Sequence, residues 1–160
     1  KGELQLNLED RDVHAIISAT AARFNLILEE LDGKIELNLK AEHPILKVDE
    51  MHFTNVINNL IDNAIKYNDK LPLIKINTLN IITGIQIEVE DNGVGLSKED
   101  QQKVFEKFYR VSRGNVHDTK GFGLGLSYVQ SIVEKHHGKV WVESKLKEGS
   151  KFIIQLPCNV

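Results

Sequence analysis

Cysteine is almost missing from this chain. Cys158 is the only one in 160 residues, which excludes an internal disulfide framework and fits a reducing compartment. A basic excess is missing too: the formal net charge is -3, whereas a nucleic-acid binder usually carries a positive surplus. No apolar run is long enough to cross a bilayer and no signal peptide opens the chain, so this stretch itself is not expected to insert in a membrane. It begins with Lys1 and Gly2 rather than an initiator Met, which reads as a piece of a larger protein whose other parts could be membrane-anchored. No repeat, linker or low-complexity tract divides it. Residues 1–160 therefore read as one domain, long enough to bury about 70% of the surface its unfolded chain would expose.

Periodicity sets out the elements. Leu4, Leu6 and Leu8 alternate with polar residues, the pattern of a half-buried strand. A helix is expected after Asp12, with Val13, Ile16, Ile17, Ala21, Phe24 and Leu28 on one face. Asp32 and Gly33 turn the chain into a second alternating strand through Ile35, Leu37 and Leu39. After a short apolar stretch at 45–48, a helix covers about 49–67. Strands follow near 73–79 and 85–90, joined at Thr83 and Gly84. Residues 92–122 read as mostly irregular, with one helical turn near 98–105. The last helix covers about 124–137 and stops at Gly138, a natural place for a left-handed residue. Strands at 139–144 and 151–156 close the chain across Glu148 and Gly149. The whole predicts an α/β (α+β) sandwich. Its sheet is mixed but mostly antiparallel, of about five strands, with three main helices on one face.

Three separated segments carry chemistry. In the first, NLIDNAIKY at 59–67, roughly 100° per residue puts Phe53, Ile57, Leu60, Ile61, Ala64 and Ile65 toward the sheet. Asn55, Asn59, Asn63 and Lys66 fall on the opposite side, with Tyr67 at the edge. A solvated face is the bland explanation, yet such faces favour better helix formers than Asn. Asn59 and Asn63 stand one turn apart, so their oxygens can converge. Such donors suit Mg²⁺, which takes one or two protein ligands when phosphates and waters complete its octahedron. Neutral amides do not repel a triphosphate, and Lys66 can offset its charge. Asp62 is on the flank and carries no assigned chemistry.

The second segment is DNGVG at 91–95, directly after the strand ending at Glu90. Asn-Gly alone makes a turn; a second glycine is more than a turn needs. Bare backbone at Gly93 and Gly95 would let a flat ring come close. The Asp91 carboxylate can accept the exocyclic amino hydrogen of adenine, where guanine would present an oxygen. The third segment, GFGLGL at 121–126, lacks both the strand of a dinucleotide fingerprint and the Lys-Ser/Thr of a P-loop. It does open an amphipathic helix with Leu126, Val129, Ile132 and Val133 inward. Phosphate there would meet free amides and the positive end of the dipole, with Lys120, Arg110 and Arg113 as partners upstream. Phe105, Phe108 and Tyr109 either anchor the intervening loop to the core or dock a partner domain.

Together these residues resemble the catalytic, ATP-binding domain of bacterial sensor histidine kinases. That domain belongs to the Bergerat-fold (GHKL) superfamily, with type II topoisomerases, heat-shock chaperones and mismatch-repair ATPases. Residues 59–67 look like the N box, 91–95 the first glycine box, 105–110 the F box and 121–126 the second glycine box. Gly149, Phe152, Ile154, Leu156 and Pro157 are similar to the family's closing strand. The resemblance covers essentially the whole chain. It implies that Asn59 and Asn63 hold Mg²⁺, that Asp91 binds adenine, that 105–122 form a flexible ATP lid, and that Arg110 approaches the terminal phosphate. Candidate catalytic residues are then Asn59, Asn63, Lys66 and Arg110. Candidate ATP contacts are Asn59, Asn63, Lys66, Tyr67, Asp91, Gly93 and Gly95, with Lys120, Gly121, Phe122, Gly123, Leu124, Gly125 and Leu126.

The resemblance also implies partners: a helical hairpin domain for dimerisation and histidine phosphotransfer, a downstream response regulator, and a cytoplasmic setting. The hairpin itself is not found in the sequence. The usual acceptor histidine is followed by an acid in a long helix. Of six histidines only His117 is followed by one, Asp118, and it sits between glycines. No autophosphorylation by this chain alone is expected. Two functions remain: a kinase half that donates the γ-phosphoryl to a histidine elsewhere, and an ATP-driven switch or ATPase. The switch relatives carry Glu where Asn59 stands, to deprotonate water. Asn cannot act as that base, which favours the kinase.

Overall fold

The computed structural model describes residues 4–111 and 125–158. The chain runs β1 (Glu9–Asp12), α1 (Val13–Ala22), α2 (Asn25–Glu30), β2 (Lys34–Leu39), β3 (Ile45–Val48), α3 (Glu50–Lys66), β4 (Leu73–Ile81) and β5 (Gly84–Asp91). Then come α4 (Lys98–Lys103), α5 (Gly125–Lys135), β6 (Lys139–Lys145) and β7 (Gly149–Pro157). Five strands form one mixed sheet in the order β2-β4-β5-β7-β6, in which β2 and β4 are parallel and the other neighbours antiparallel. The expected five-stranded sandwich is therefore present.

Alternation decides which side of that sheet is covered. Ile74 and Ile76 of β4, Ile85, Ile87 and Val89 of β5, and Ile154 and Leu156 of β7 are buried against one cluster. That cluster takes Val13, Ile16 and Ile17 from α1, Phe53, Ile57 and Leu60 from α3, and Val129 and Ile132 from α5. Burial of side chains this size is worth about 1.5–3 kcal/mol each, so the helices are held on that face. The other face carries a run of polar side chains bonded to one another: Asn38 donates to Asn77, Gln155 to Gln86 and Gln86 to Glu88. Aspartates start two of the helices. Asp12 accepts from His14 and Ala15 N–H at the head of α1, and Asp49 from His52 N–H at the head of α3.

Three sequence expectations need correction. The alternating leucines are not a strand; residues 4–8 have no regular element, and Asn7 N–H donates instead to Asp49 Oδ2 at 2.8 Å. The strand is the charged stretch after them, β1, which pairs antiparallel with β3 in a separate two-stranded sheet. Backbone pairing with β3 overrides its poor strand composition, while the exposed ion pairs Arg11–Glu50 and Lys47–Asp10 add little. The single helix expected through Leu28 is two, because Arg23 and Phe24 N–H turn back to Thr20 and Ala21 O. At the end of α5 the left-handed residue is His137 (φ 67), not Gly138. Gly138 is needed because a Cβ there would lie 2.3 Å from Gln155 O.

Candidate functional site

α3 turns two faces in different directions. Phe53, Val56, Ile57, Leu60, Ile61 and Ala64 are buried, Ile65 is only half-buried, and the asparagine side is left open. Asn59 Nδ2 donates to Asn55 O at 2.9 Å. That bond spends the nitrogen on its own helix and turns Oδ1 outward, where a Cβ on Gly125 would stand 3.2 Å from it. The first residue of α5 thus faces Asn59 directly. Asn63 is half-buried, and none of the described residues bonds its side-chain amide. Lys66 Nζ pairs with Asp62 Oδ2 at 2.9 Å, each side chain about two-fifths exposed (41% and 40%). Asp62, which was assigned no chemistry, therefore holds the lysine's charge in this state.

Tyr67 caps the end of α3 and ties it to the turn after β5, its carbonyl accepting from Val94 N–H at 3.0 Å. The glycines of that turn have another reason than an approaching ring. A Cβ on Gly93 would lie 2.4 Å from Tyr67 O, and one on Gly95 (φ +75) 2.1 Å from Lys145 O. Both places are filled by protein backbone. Asn92, to which the sequence assigned no role beyond an Asn-Gly turn, bonds Leu73 N–H, Leu71 O and Asn68, and so locks the loop after α3 onto the turn.

Asp91 ends β5 half-buried. Its Oδ1 accepts from Gly93 N–H at 2.8 Å and Ser150 N–H at 3.2 Å; no described residue donates to Oδ2. Burial raises its pKa to about 6, and the neighbouring Glu90 charge adds to this. The two N–H groups pull the other way. An acceptor withdrawn from water and only half satisfied has capacity left for a further N–H donor.

Among the aromatics before the glycine run, Phe105 stacks edge-on against Phe152 and packs on the core. The Tyr109 hydroxyl donates to Asp100, which pushes the phenol up to about 12. Phe108 remains 64% exposed, in a left-handed conformation (φ 67). Arg110 is exposed. Leu126, half-buried, packs on the core. Lys120, Gly121, Phe122, Gly123 and Leu124, with Arg113 and His117, lie outside the described residues.

Direct contacts join the elements that carry the three segments: Gly125 of α5 meets Asn59 of α3, and Tyr67 at the end of α3 meets the turn that follows Asp91. The model of the family described as "Histidine kinase-, DNA gyrase B-, and HSP90-like ATPase" matches residues 48–160. The chain belongs to this family. The match begins at the end of β3 and takes in α3, the Asp91 turn and α5, so all three segments of the site fall inside it.

Among curated relatives of this ATPase domain, Sensor protein RprX of Bacteroides fragilis is 47% identical over 95% of this chain and 30% of its own length. Sensor-like histidine kinase SenX3 of Mycobacterium tuberculosis is 32% identical over 96% of the chain and 37% of its own. The chain spans well under half the length of these relatives. The solved catalytic domain of histidine kinase ThkA is 25% identical, with a TM-score of 0.83 over 95% of this chain and 96% of that one. A structure of ThkA with response regulator protein TrrA has a TM-score of 0.79 at 23% identity over 95% of this chain and 42% of that one, a likeness of fold alone.

Membership of an ATPase family supports ATP use by this domain. A metal is a separate matter. Among the described residues no group of three or more His, Cys, Asp or Glu could hold one unaided. Two amide oxygens one turn apart, one freed by the bond of Asn59 Nδ2 to its own helix, do fit a hard cation that brings most of its own oxygen ligands. No helix among the described residues is long and apolar enough to cross a membrane.

Proposed function

We propose that this domain binds Mg-ATP and donates the γ-phosphoryl group to a histidine on a separate helical dimerisation and phosphoacceptor domain of its parent, in two-component signal transduction. The observation that carries this reading is the outward Oδ1 of Asn59, set beside the start of α5 and linked through Tyr67 to the half-satisfied carboxylate of Asp91. Asp91 Oδ2 would accept the adenine amino hydrogen. The asparagine face and the first turn of α5 would receive the phosphates. Lys66 exchanges Asp62 for phosphate oxygen, and Arg110 and Lys120 complete the charge neutralisation. Asn59 and Asn63 would hold Mg²⁺, which when bound screens charge on the phosphate oxygens.

In the transfer, an imidazole nitrogen forms a bond to the γ-phosphorus as the bond to the β–γ bridging oxygen breaks. ADP leaves, and the proton on the other ring nitrogen, made more acidic by the transfer, is released to solvent. Imidazole is already nucleophilic, so this chain supplies position and charge rather than a base. A hydrolase would need a base at position 59, and an amide cannot serve. Names of relatives that are sensor histidine kinases support the kinase reading, and the ThkA–TrrA complex supports a response regulator as the next acceptor. ATP use by the family and a sequence with one cysteine, which excludes an internal disulfide framework, support a cytoplasmic location, with a parent that could be membrane-anchored.

The test supplies labelled ATP and the parent's helical hairpin to the domain and follows phosphohistidine against free phosphate. Label on the hairpin histidine is expected. Free phosphate alone, or label on this chain without the hairpin, would refute the kinase reading.

A further inference from the structure

The asparagine face of α3 is not open along its whole length. Tyr128, one turn into α5, places its hydroxyl 2.6 Å from His52 Nδ1, where it also accepts from Asn55 Nδ2 at 3.3 Å. His52 and Tyr128 further meet as tilted rings, 6.0 Å between centroids. One turn earlier on α5, the missing Cβ of Gly125 faces Asn59 Oδ1 at 3.2 Å. Going up α3 from His52 and Asn55 to Asn59 means going down α5 from Tyr128 to Gly125, so the two helices run antiparallel at this contact.

Two facts follow for Asn59. Its amide is oriented from within α3, through Asn55 O. The distance from its oxygen to the first turn of α5 is set by how the helices are clamped. The buried Val129, Ile132 and Val133 fasten the rest of α5 in the core, whereas Tyr128 ties the turn next to the site.

We propose that Tyr128 is a positioning residue: its hydroxyl, held by His52 and Asn55, fixes the first turn of α5 against α3 so that Asn59 Oδ1 and the phosphate-receiving turn address the same magnesium-bound triphosphate. This rests on the Mg-ATP reading above and adds a residue that touches neither metal nor nucleotide. Partners that orient a metal ligand from behind typically matter about 10–100-fold in metal affinity or activity; a clamp one step removed belongs at the low end.

The experiment is calorimetric titration of ATP into the whole chain, with Mg²⁺ and with chelator, for wild type and Tyr128→Phe, alongside thermal unfolding. Tyr128→Phe keeps the ring and removes the hydroxyl. Its affinity for Mg-ATP should fall about tenfold while metal-free ATP binding and the unfolding midpoint stay near wild type. His52→Ala, which removes the other end of the bond, should give the same split and carries the test if Tyr128→Phe does not fold. Equal losses with and without Mg²⁺, or no loss, would overturn the positioning role. Wild type that bound no ATP in either condition would instead refute the nucleotide reading beneath it.

Discussion

The turn at 91–95 is held by backbone from two other parts of the chain, whereas the outer face of α3 is held by side chains near the surface. At the turn, Gly93 is pressed against Tyr67 O and Gly95 against Lys145 O, Val94 N–H bonds Tyr67, and Lys147 N–H bonds Val94 O. On α3, Lys66 rests in an exposed ion pair, and among the described residues a Cβ on Gly125 would meet the far end of the Asn59 side chain. A rigid arm suits the reading of a base, where tenths of an ångström decide which hydrogen bond forms. An adjustable arm suits phosphates and a metal, whose positions change as a phosphoryl group leaves.

Glycine substitutions should break this contrast most visibly. Gly95→Ala must adopt φ near +75 and push against the Lys145 carbonyl, a loss of about 3 kcal/mol in denaturant unfolding. Among the described residues Gly125→Ala meets a flexible amide, so its stability should stay within about 1 kcal/mol of wild type, though its methyl displaces Asn59 Oδ1. Similar losses at both positions would mean that the two arms are equally rigid.

The next effect is electrostatic and belongs to the rigid arm alone. Asp91 has its pKa raised to about 6 from 3.8, so the folded state binds this proton more tightly than the unfolded chain does. The associated stability is fully present below pH 3.8 and is lost as pH rises through 6. At pH 7 the ionised carboxylate disfavours the fold by about 2–3 kcal/mol. Acidifying from pH 7 to 5 should therefore stabilise wild type relative to Asp91→Asn, since the other titrating groups are common to both. ATP affinity should move the opposite way, weakening as the acceptor is protonated. A difference between the two proteins that does not change from pH 4 to 7 would exclude the shift.

How much of this could be read from the residues differs between the arms as well. The motif positions of α3, its buried face and the five main strands were legible because a strong period and a cluster of unusual residues coincide there. Asp91 was legible as an acceptor, but the reason for its glycines was not: close approach of Tyr67 and Lys145 is a contact between distant segments. Asn92 looked like an ordinary turn residue for the same reason. Strand β1, spelled Glu-Asp-Arg-Asp, carries no apolar period and exists through its pairing with β3. Tyr128 was hidden among the apolar positions of α5, because its partners His52 and Asn55 lie on a distant helix; a phenol on the flank of α5 was the available signal.

The smallest effect sharpens the adjustable arm. The Lys66–Asp62 pair is two-fifths exposed on both sides and should contribute no more than about 0.5 kcal/mol to stability. Asp62→Ala frees Lys66 for phosphate and should tighten Mg-ATP binding by about twofold at low salt, a gain that disappears at high salt. Weaker binding instead would mean that Asp62 orients Lys66 rather than competing for it.

One calorimetric comparison bears most directly on the claim that distant segments form a single adenine-reading site: ATP against GTP, each with Mg²⁺, in wild type and Asp91→Asn. Wild type should bind ATP at least about tenfold tighter than GTP, since a charged acceptor that loses its partner forfeits about 1.5–3 kcal/mol, and Asp91→Asn should lose that preference while still unfolding cooperatively. Equal affinities in wild type, or a preference that survives in Asp91→Asn, would contradict it.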